Sequence, residues 1–355
     1  GSDLGARRVA RRSLGAVQAA TYRRITEVAL VLLVAIVVTG AGVRLTGSGL
    51  GCTDWPKCTD TTFTPTSDLH ARIEFANRLI TGLVSAAVAA AVLGSLRLRP
   101  RRRDLVWLSW GLVAGVVGQI VLGGLVVLSH LNPWLVQGHF VLSMVLVGNA
   151  MVLRHRAGRP AGHRSRPTVT PALARWGWAV VGLAVVVLLT GTLVTGSGPH
   201  SGHQEAEPGA GLDAQLEAAR EVQRLPLAVH DAARFHGLTM IVFLGAVVWV
   251  LVQLRRHHHG HEPLRRAGSW LLTVLLLQGA LGYTQYFSGV PPMLVATHIL
   301  GASLVWVAAL HLLLVMIDPN PTDQIGALES TASTPAESGR ERTGDLSHGD
   351  LVTDG

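Results

Sequence analysis

The sequence predicts an all-α integral membrane protein with eight transmembrane helices, arranged as two parallel four-helix repeats with both termini in the cytoplasm. Of its 355 residues, 49% are hydrophobic and only 15% are charged, a composition typical of membrane proteins. Apolar stretches close to the length of about 20 residues that a bilayer requires recur eight times. One of these stretches, together with the turn that follows it, recurs later in the chain, which indicates an internal duplication.

The eight apolar stretches and the segments between them define the domain organisation. The stretches lie at residues 25–43, 75–96, 105–128, 134–153, 173–194, 235–254, 267–287 and 294–316. We therefore expect an N-terminal cytoplasmic segment (1–24), a first four-helix repeat (25–153), a cytoplasmic linker (154–175), a second four-helix repeat (176–316) and a tail (317–355). The polar tail lacks apolar periodicity and is expected to be disordered. Residues 212–222 have an amphipathic pattern that predicts a short interfacial helix.

The net charge of +8 is distributed in a way that indicates topology rather than nucleic-acid binding. Arginines cluster before the first span, after the second, between the fourth and fifth, and between the sixth and seventh. The connections between the third and fourth spans and between the seventh and eighth carry none. Because cytoplasmic loops carry an excess of Lys and Arg, this alternation predicts that both termini are cytoplasmic.

The repeated segment is QIVLGGLVVLSHLNPWLVQGH, residues 119–139, and its second copy lies 159 positions later, at residues 278–298. The two copies agree at eight positions, among them Gln119/Gln278, Gly123/Gly282 and His139/His298. The same offset brings Asn77 onto His236, so that each half carries a pair of polar residues 62 positions apart. Four spans per half is an even number, so the two halves should have the same orientation.

Polar residues within membrane spans are costly and usually functional. His139 and His298 each lie six residues past a proline, and His236 lies near the start of the sixth span. Two histidines from neighbouring helices of a four-helix unit can hold a haem. The repeat-matched placement favours this interpretation for His236 and His298 over two histidines that only hydrogen-bond to neighbouring helices.

The first half departs from this pattern because Asn77 is a poor iron ligand. A haem in the first half would have His139 on one side and an open face or a substitute ligand on the other, with His70 and His130 as candidates. Glu74 lies one helical turn from Asn77, at the outer edge of the same site, where a carboxylate can reach water. This position fits a general acid/base or proton relay, and it also fits an interfacial ion pair with Arg72 or Arg78.

The chain has two cysteines, Cys52 and Cys58, both in the first outside loop. The outside of a bacterial membrane is oxidising, so a disulfide is favoured. A metal site is the alternative, but two thiols alone make a poor one.

Motifs along the chain resemble those of the haem A synthase family. They are RLTGSGLGC with DWP and a second cysteine, IEFANR, NPWLVQGHF, VTGSGP, RFHG, and GYTQYFSGVPP followed by ATH, in that order between residues 25 and 316. The resemblance implies an eight-helix enzyme of the cell membrane that oxidises a methyl group of haem O to the formyl group of haem A, for cytochrome oxidase. It implies a haem b cofactor on His236 and His298 and substrate haem in the first half, beside His139 and Asn77. The family's functional glutamate falls on Glu74.

Two features depart from the family's pattern. Many members have histidine where this chain has Asn77, so the expected first-half ligand pair is incomplete. The second outside loop lacks the additional cysteine pair that some members carry, so a disulfide can form only between Cys52 and Cys58.

Three functions compete at this point. The first is an enzyme that hydroxylates a haem methyl group twice. The second is a di-haem b-type electron carrier without substrate haem, which should keep both ligand pairs. The third is a transporter, which does not need matched histidines. Because one pair has become Asn77 and His139 and has gained Glu74, the enzyme is favoured. The expected partners are haem O, haem O synthase, an unidentified electron donor and the lipid bilayer, with no nucleic acid.

Overall fold

The computed structural model describes residues 17–52, 54–65, 68–163, 165–199, 224–258 and 261–318. Within these ranges the chain forms eight long helices and no strand beyond an isolated bridge. The helices are α1 (Ala19–Leu45), α2 (Leu69–Arg97), α3 (Arg103–Leu128), α4 (Pro133–Ala157), α5 (Pro171–Ser197), α6 (Val229–His257), α7 (Glu262–Phe287) and α8 (Pro292–Ile317). Each one contains a span expected from the sequence.

The helices extend past the apolar spans because residues outside the spans start and stop them. Asp68 accepts a hydrogen bond from the backbone N–H of Ala71 before α2, and Asn132 and Thr170 do the same for the first turns of α4 and α5. Such caps satisfy N–H groups that lack a partner within the helix. Proline occupies the first helical position of α4, α5 and α8, where its missing N–H costs nothing.

Seven of the eight helices are long and apolar enough to cross a membrane, which supports a multi-pass membrane protein. The helix outside this set is α7, which begins with charged residues and carries several polar ones along its length. Large apolar side chains such as Trp107 and Leu277 are 76% and 65% exposed. Because lipid is as apolar as these side chains, they are suited to a lipid-facing surface.

The helices pack as two rings that share an interface. In the first ring α1 contacts α2, α2 contacts α3, α3 contacts α4 and α4 returns to α1, and α5 to α8 make the same set of contacts. The interface is formed chiefly by α8, which also packs against α1 and α4. Of the residues in the most apolar stretch of α8, 61% are buried, against 33% or less in the other six apolar helices. The indole of Trp306 on α8 donates a hydrogen bond of 2.9 Å to the carbonyl of Met144 on α4.

The turns that close the two copies of the repeated segment have the same backbone form. His130 and Leu131 have φ of 54° and 60°, and the residues 159 positions later, Gly289 and Val290, have φ of 76° and 61°. The amide of Leu131 bonds the carbonyl five residues before it, and the amide of Val290 does the same. Three of these four residues carry side chains that rarely adopt this conformation, so the tight turn itself imposes it.

Cys52 and Cys58 form a disulfide, as the sequence predicted. It lies in the loop between α1 and α2, and we call the end of the bundle that carries this loop the disulfide end. The opposite end carries the arginine clusters after α2 and at the end of α4. The expected interfacial helix at 212–222 and the tail from 319 onwards lie outside the described residues.

Candidate functional site

In the second ring, His236 on α6 is held by the last part of α5. The Nδ1 of His236 lies 3.0 Å from the hydroxyl of Thr190. That hydroxyl donates its hydrogen to the carbonyl of Val187, and the nearby hydroxyl of Thr239 donates to the carbonyl of His236. Because the Thr190 hydroxyl has a single hydrogen, which it gives to Val187, we assign Thr190 as the acceptor and the ring proton of His236 to Nδ1. Nε2 keeps its lone pair, which is the form of histidine that binds a metal.

The other histidine of this ring, His298, lies on α8 against α7. The side-chain amide of Gln278 donates a hydrogen bond of 2.8 Å to the carbonyl of His298. A Cβ at Gly282 would lie only 3.0 Å from Cε1 of the His298 ring, so any larger residue would push against the imidazole. The ring Nδ1 is buried and finds no hydrogen-bond partner in the described part of the chain. Glycine and glutamine on α7 thus set the position of the ring without using its nitrogens.

The first ring repeats this arrangement around His139 on α4. The amide of Gln119 on α3 donates a hydrogen bond of 3.1 Å to the carbonyl of His139. A Cβ at Gly123 would lie 3.3 Å from Cε1 of His139, and Nδ1 is again buried without a partner among the described residues. Gln119 and Gln278 are identical positions of the repeat, as are Gly123 and Gly282. Their contacts give a physical reason for these identities.

Asn77 on α2 takes the place that His236 takes on α6. The hydroxyl of Thr39 donates a hydrogen bond of 2.8 Å to its amide oxygen, and a Cβ at Gly40 would lie 3.9 Å from its amide nitrogen. In the second ring the same two residue types, Thr190 and Gly191, contact His236. Each ring thus has one Thr-Gly pair and one glycine beside its polar pair, but only the second ring carries two imidazoles.

Glu74, one turn from Asn77 on α2, is buried rather than open to water. Only 6% of its surface is exposed. One carboxylate oxygen accepts a hydrogen bond of 2.8 Å from the amide of Cys52, and the other accepts one of 2.6 Å from the guanidinium of Arg78. The expectation of a carboxylate at the membrane edge, in contact with water, was therefore wrong, because the disulfide loop folds over it.

Arg78 connects this carboxylate to the same loop. Its guanidinium donates to the carbonyls of Lys57 at 2.9 Å and Asp54 at 3.3 Å. The loop also carries Trp55. A Cβ added at Gly124 on α3 would lie only 2.9 Å from the indole of Trp55, so the indole packs directly against the α3 backbone. Because Gly124 follows Gly123, this indole packs on α3 next to the glycine that contacts His139. The disulfide loop thus covers the disulfide end of the first ring.

The two histidines considered as substitute ligands lie at the disulfide end. The Nδ1 of His70 is 2.9 Å from the hydroxyl of Ser48. His130 is exposed in the turn between α3 and α4. His70 therefore contacts the loop that covers the first ring, and His130 lies on the surface. Asn77 and His139 lie deeper, each next to a glycine of the neighbouring helix.

A bis-imidazole haem fits the second ring on two observations. First, His236 and His298 each leave Nε2 without a hydrogen bond to any described residue. Second, a glycine lies against each imidazole, and a Cβ added at that glycine would lie 3.2 Å or less from Cε1 of the histidine. The first ring fits a haem bound through one imidazole, because Asn77 supplies an amide. Small residues that bring helix backbones close to a flat group are what such a site requires.

Comparison with known proteins agrees with this geometry. Residues 23–310 match the model of the family COX15-CtaA, described as cytochrome oxidase assembly protein. This match covers most of the chain. The protein belongs to that family.

Individual relatives in this family carry the name heme A synthase. The protein of Symbiobacterium thermophilum is 28% identical over 259 residues, which cover 71% of this chain and 81% of the relative. The protein of Halalkalibacterium halodurans is 24% identical over 291 residues, covering 80% and 89%. The protein of Geobacillus kaustophilus is 32% identical, but the match spans 32% of this chain and only 35% of the relative. The resemblance that the motifs indicated is confirmed.

Within this COX15-CtaA chain, several residues of the site were not assigned a role from the sequence. Gln119 and Gln278 were visible as repeat identities, but nothing in the sequence tied their amides to a carbonyl on the next helix. Thr39 and Thr190 each precede a glycine, and this repeated Thr-Gly pair was the signal that could have found them. Trp55 had no such signal, because its contact with α3 depends on the path of the loop.

Proposed function

We propose that this protein is a haem A synthase, which oxidises a methyl group of haem O to the formyl group of haem A. The observation that carries the proposal is the difference between two otherwise matched rings. The second ring has two imidazoles, whereas the first has one imidazole, an amide and the buried carboxylate of Glu74. A duplicated frame in which one copy has lost a ligand and gained a titratable group is suited to one cofactor site and one substrate site.

The second ring is the cofactor site in this proposal. His236 and His298 would hold the iron of haem b, which supplies one-electron redox chemistry when bound. The role of the protein is to fix the ligands, and Thr190 does so by holding the Nδ1 proton of His236. Gln278 and Gly282 fix His298 in the same way.

The first ring is the substrate site. His139 would bind the iron of haem O, with Asn77 lining the opposite side of the pocket. Conversion of a methyl carbon to a formyl carbon is a four-electron oxidation. Two successive hydroxylations would accomplish it with dioxygen as the oxidant: each inserts one oxygen atom, takes up two electrons from the donor and two protons, and releases water. The geminal diol then loses water to give the aldehyde, so protons must be delivered to the site. Glu74 is the carboxylate nearest along the chain to Asn77, and we assign it to proton transfer.

The wider setting of the enzyme belongs to the same proposal. The two rings are parallel repeats in the plasma membrane, with both termini cytoplasmic and the substrate site towards the outside, as the arginine distribution supports. The partners are haem O, the haem O synthase that supplies it, and an electron donor.

A di-haem b-type electron carrier is the alternative function, and pigment analysis separates the two. The purified protein is extracted with acidified organic solvent, and the haems are resolved by chromatography. Haem b together with haem O, its hydroxylated form or haem A supports the enzyme. Haem b alone, at two equivalents per chain, would replace the enzyme with the electron carrier.

A further inference from the structure

Arg44 carries a largely buried guanidinium, and two of its three nitrogens have no hydrogen-bond partner among the described residues. It lies in the last turn of α1. Its Nε and one terminal guanidinium nitrogen are shielded from solvent, and neither has a hydrogen-bond partner among the described residues. A buried charge without a partner is strongly unfavourable. An anion that entered this site would supply the missing partner and offset that cost.

Arg44 lies on the face of α1 that lines the first ring. Arg44 follows Gly40 by four residues and so shares its helix face, one turn nearer the disulfide end. Gly40 faces the amide of Asn77, and the preceding Thr39 bonds that amide. The face of α1 that lines the Asn77 pocket therefore continues directly to Arg44.

The nearby carboxylate is already used. Glu74 lies at the same end of the ring, but its two oxygens accept hydrogen bonds from Arg78 and from the amide of Cys52. No ion pair joins Glu74 to Arg44 among the described residues. Among the described residues, no carboxylate pairs with Arg44.

The second ring lacks this cation. Arg44 follows Gly40 by four residues in α1, whereas Thr195 follows Gly191 by four residues in α5. No Lys or Arg lies between Gly191 and Gly198. The difference again separates the two rings. An arginine that served only to end the helix would be expected in both copies. Arg44 occurs only in the ring with His139.

We propose that Arg44 binds a propionate carboxylate of the haem in the first ring. This inference rests on the proposed function, because it takes substrate haem as the occupant of that ring. A guanidinium pairs with a carboxylate through two parallel hydrogen bonds, which gives orientation as well as affinity. With the iron at His139 and a propionate at Arg44, the macrocycle can take only a limited set of rotations about the iron. Arg44 would thus decide which methyl group meets the reacting side of the site.

The test measures haem binding, not turnover. Haem O and its dimethyl ester, in which both propionates are uncharged, are titrated by absorbance into holoprotein with haem b in the second ring. We expect wild type to bind haem O about 10- to 100-fold more tightly than the ester, the range for a charged hydrogen bond. Arg44→Leu, which removes the charge and the hydrogen-bond donors, should bind both ligands as weakly as wild type binds the ester. Arg44→Lys, which keeps the charge but loses the paired geometry, should fall between the two.

Controls separate binding from folding. Arg72→Leu removes an exposed arginine at the same end and should leave both affinities unchanged. Without haem in the first ring, Arg44→Leu should melt at the same temperature as wild type or higher, because it removes an unsatisfied charge, whereas loss of a structural residue would lower the melting temperature. Should the variant fail to fold, the wild-type comparison still decides, since equal affinities for haem O and its ester overturn the inference.

Other outcomes also have a defined meaning. Undiminished discrimination between haem O and its ester in Arg44→Leu would overturn the assignment. So would loss of a co-purified anionic phospholipid from that variant with haem affinity unchanged, because the anion would then be a lipid phosphate. If neither haem O nor the ester binds to wild type, the proposed function fails together with this inference. If haem O binds and is converted but Arg44→Leu behaves as wild type, only the inference fails.

Discussion

A single hydroxyl group determines which nitrogen of His236 is available to a metal. Thr190 gives its own hydrogen to Val187, so it can only accept from Nδ1 of His236. Partners of this kind fix both the tautomer and the ring orientation of a ligand, and their loss typically costs about 10- to 100-fold in metal affinity. The position of His236, the proposed haem ligand, therefore depends on Thr190 as well.

We predict that Thr190→Val, which keeps the shape but removes the acceptor, weakens haem b binding about 10- to 100-fold. The haem that remains should still show a low-spin spectrum, because both histidines are present. Haem b content per chain, measured after dilution into haem-free detergent, checks this. Thr39→Val is the matched control in the first ring and should leave haem b content unchanged. Equal loss in both variants would contradict a specific role for Thr190.

His236 and His298 are each expected to be indispensable for the low-spin bis-histidine spectrum. Replacement of either by alanine leaves the iron with one protein ligand, so the spectrum should become high-spin or disappear. Absorbance and electron paramagnetic resonance of the purified variants measure this. His139→Ala is the comparison, since its ring should lose substrate haem and leave haem b intact. A low-spin haem b spectrum in both single variants would sink the assignment.

For Glu74 we predict a chemical role in addition to its structural one. Glu74→Gln keeps an oxygen that can accept from the amide of Cys52 but removes the titrating charge. Haem A formed per haem b should fall about 10²-fold or more if proton transfer is its task, with haem O still bound.

The matched control for this prediction is Arg78→Gln, which breaks the same ion pair and keeps the carboxylate. It should lose less haem A than Glu74→Gln, although both loosen the disulfide loop. If the two variants lose activity alike, Glu74 is an anchor for the loop and the search for the proton-transfer group moves to His70.

At this scale the sequence predicted the positions of the candidate ligands better than their surroundings. His139, His236 and His298 could be singled out because imidazoles are rare inside membrane spans and the repeat matched their positions. The burial of Glu74 could not be found, because it depends on a loop that returns over α2 and brings the amide of Cys52 to the carboxylate. Arg44 carried no signal either, since a helix-end arginine resembles any other.

The loops at the disulfide end differ between the two rings in length and in cysteine content. The helix pairs carry equivalent contacts, with Gln119 and Gln278 each reaching the next helix. By contrast, the loop of the first ring carries the disulfide and inserts Trp55 against α3. Helix frames of this kind are constrained by packing, whereas loops can change freely and therefore carry the functional differences.

Removal of the disulfide should affect only the first ring. Closing a loop with a sequence separation of 6 is worth about 2 kcal/mol in the chain-entropy model. In the Cys52→Ser/Cys58→Ser variant the loop should become more sensitive to protease and retain less substrate haem, while haem b content stays at the wild-type level. Limited proteolysis followed by mass mapping, with haem extraction on the same sample, tests both effects. Loss of haem b in parallel would show that the loop supports the whole bundle instead.

The two rings are joined into one molecule chiefly through α8, and this explains which part of the fold the sequence could predict. Each span was visible on its own, because about 20 apolar residues are needed whatever their neighbours. The packing order was not visible, because Trp306 bonds a backbone carbonyl of α4 and α8 contacts two helices of the other ring. Such contacts depend on shape rather than on a pattern in either segment.

The orientation of the whole molecule is the last prediction, and the chain offers a clean way to test it. Its only cysteines are paired in the disulfide, so a single introduced cysteine is the only thiol that a maleimide can label. Arg224, before α6 at the disulfide end, and Ala161, between α4 and α5 at the opposite end, are both exposed. If arginine-rich loops are cytoplasmic, a membrane-impermeant maleimide should label Arg224→Cys in intact cells and label Ala161→Cys only after the membrane is permeabilised. The reverse pattern would place the substrate ring towards the cytoplasm and would require haem O, electrons and protons to reach it from that side.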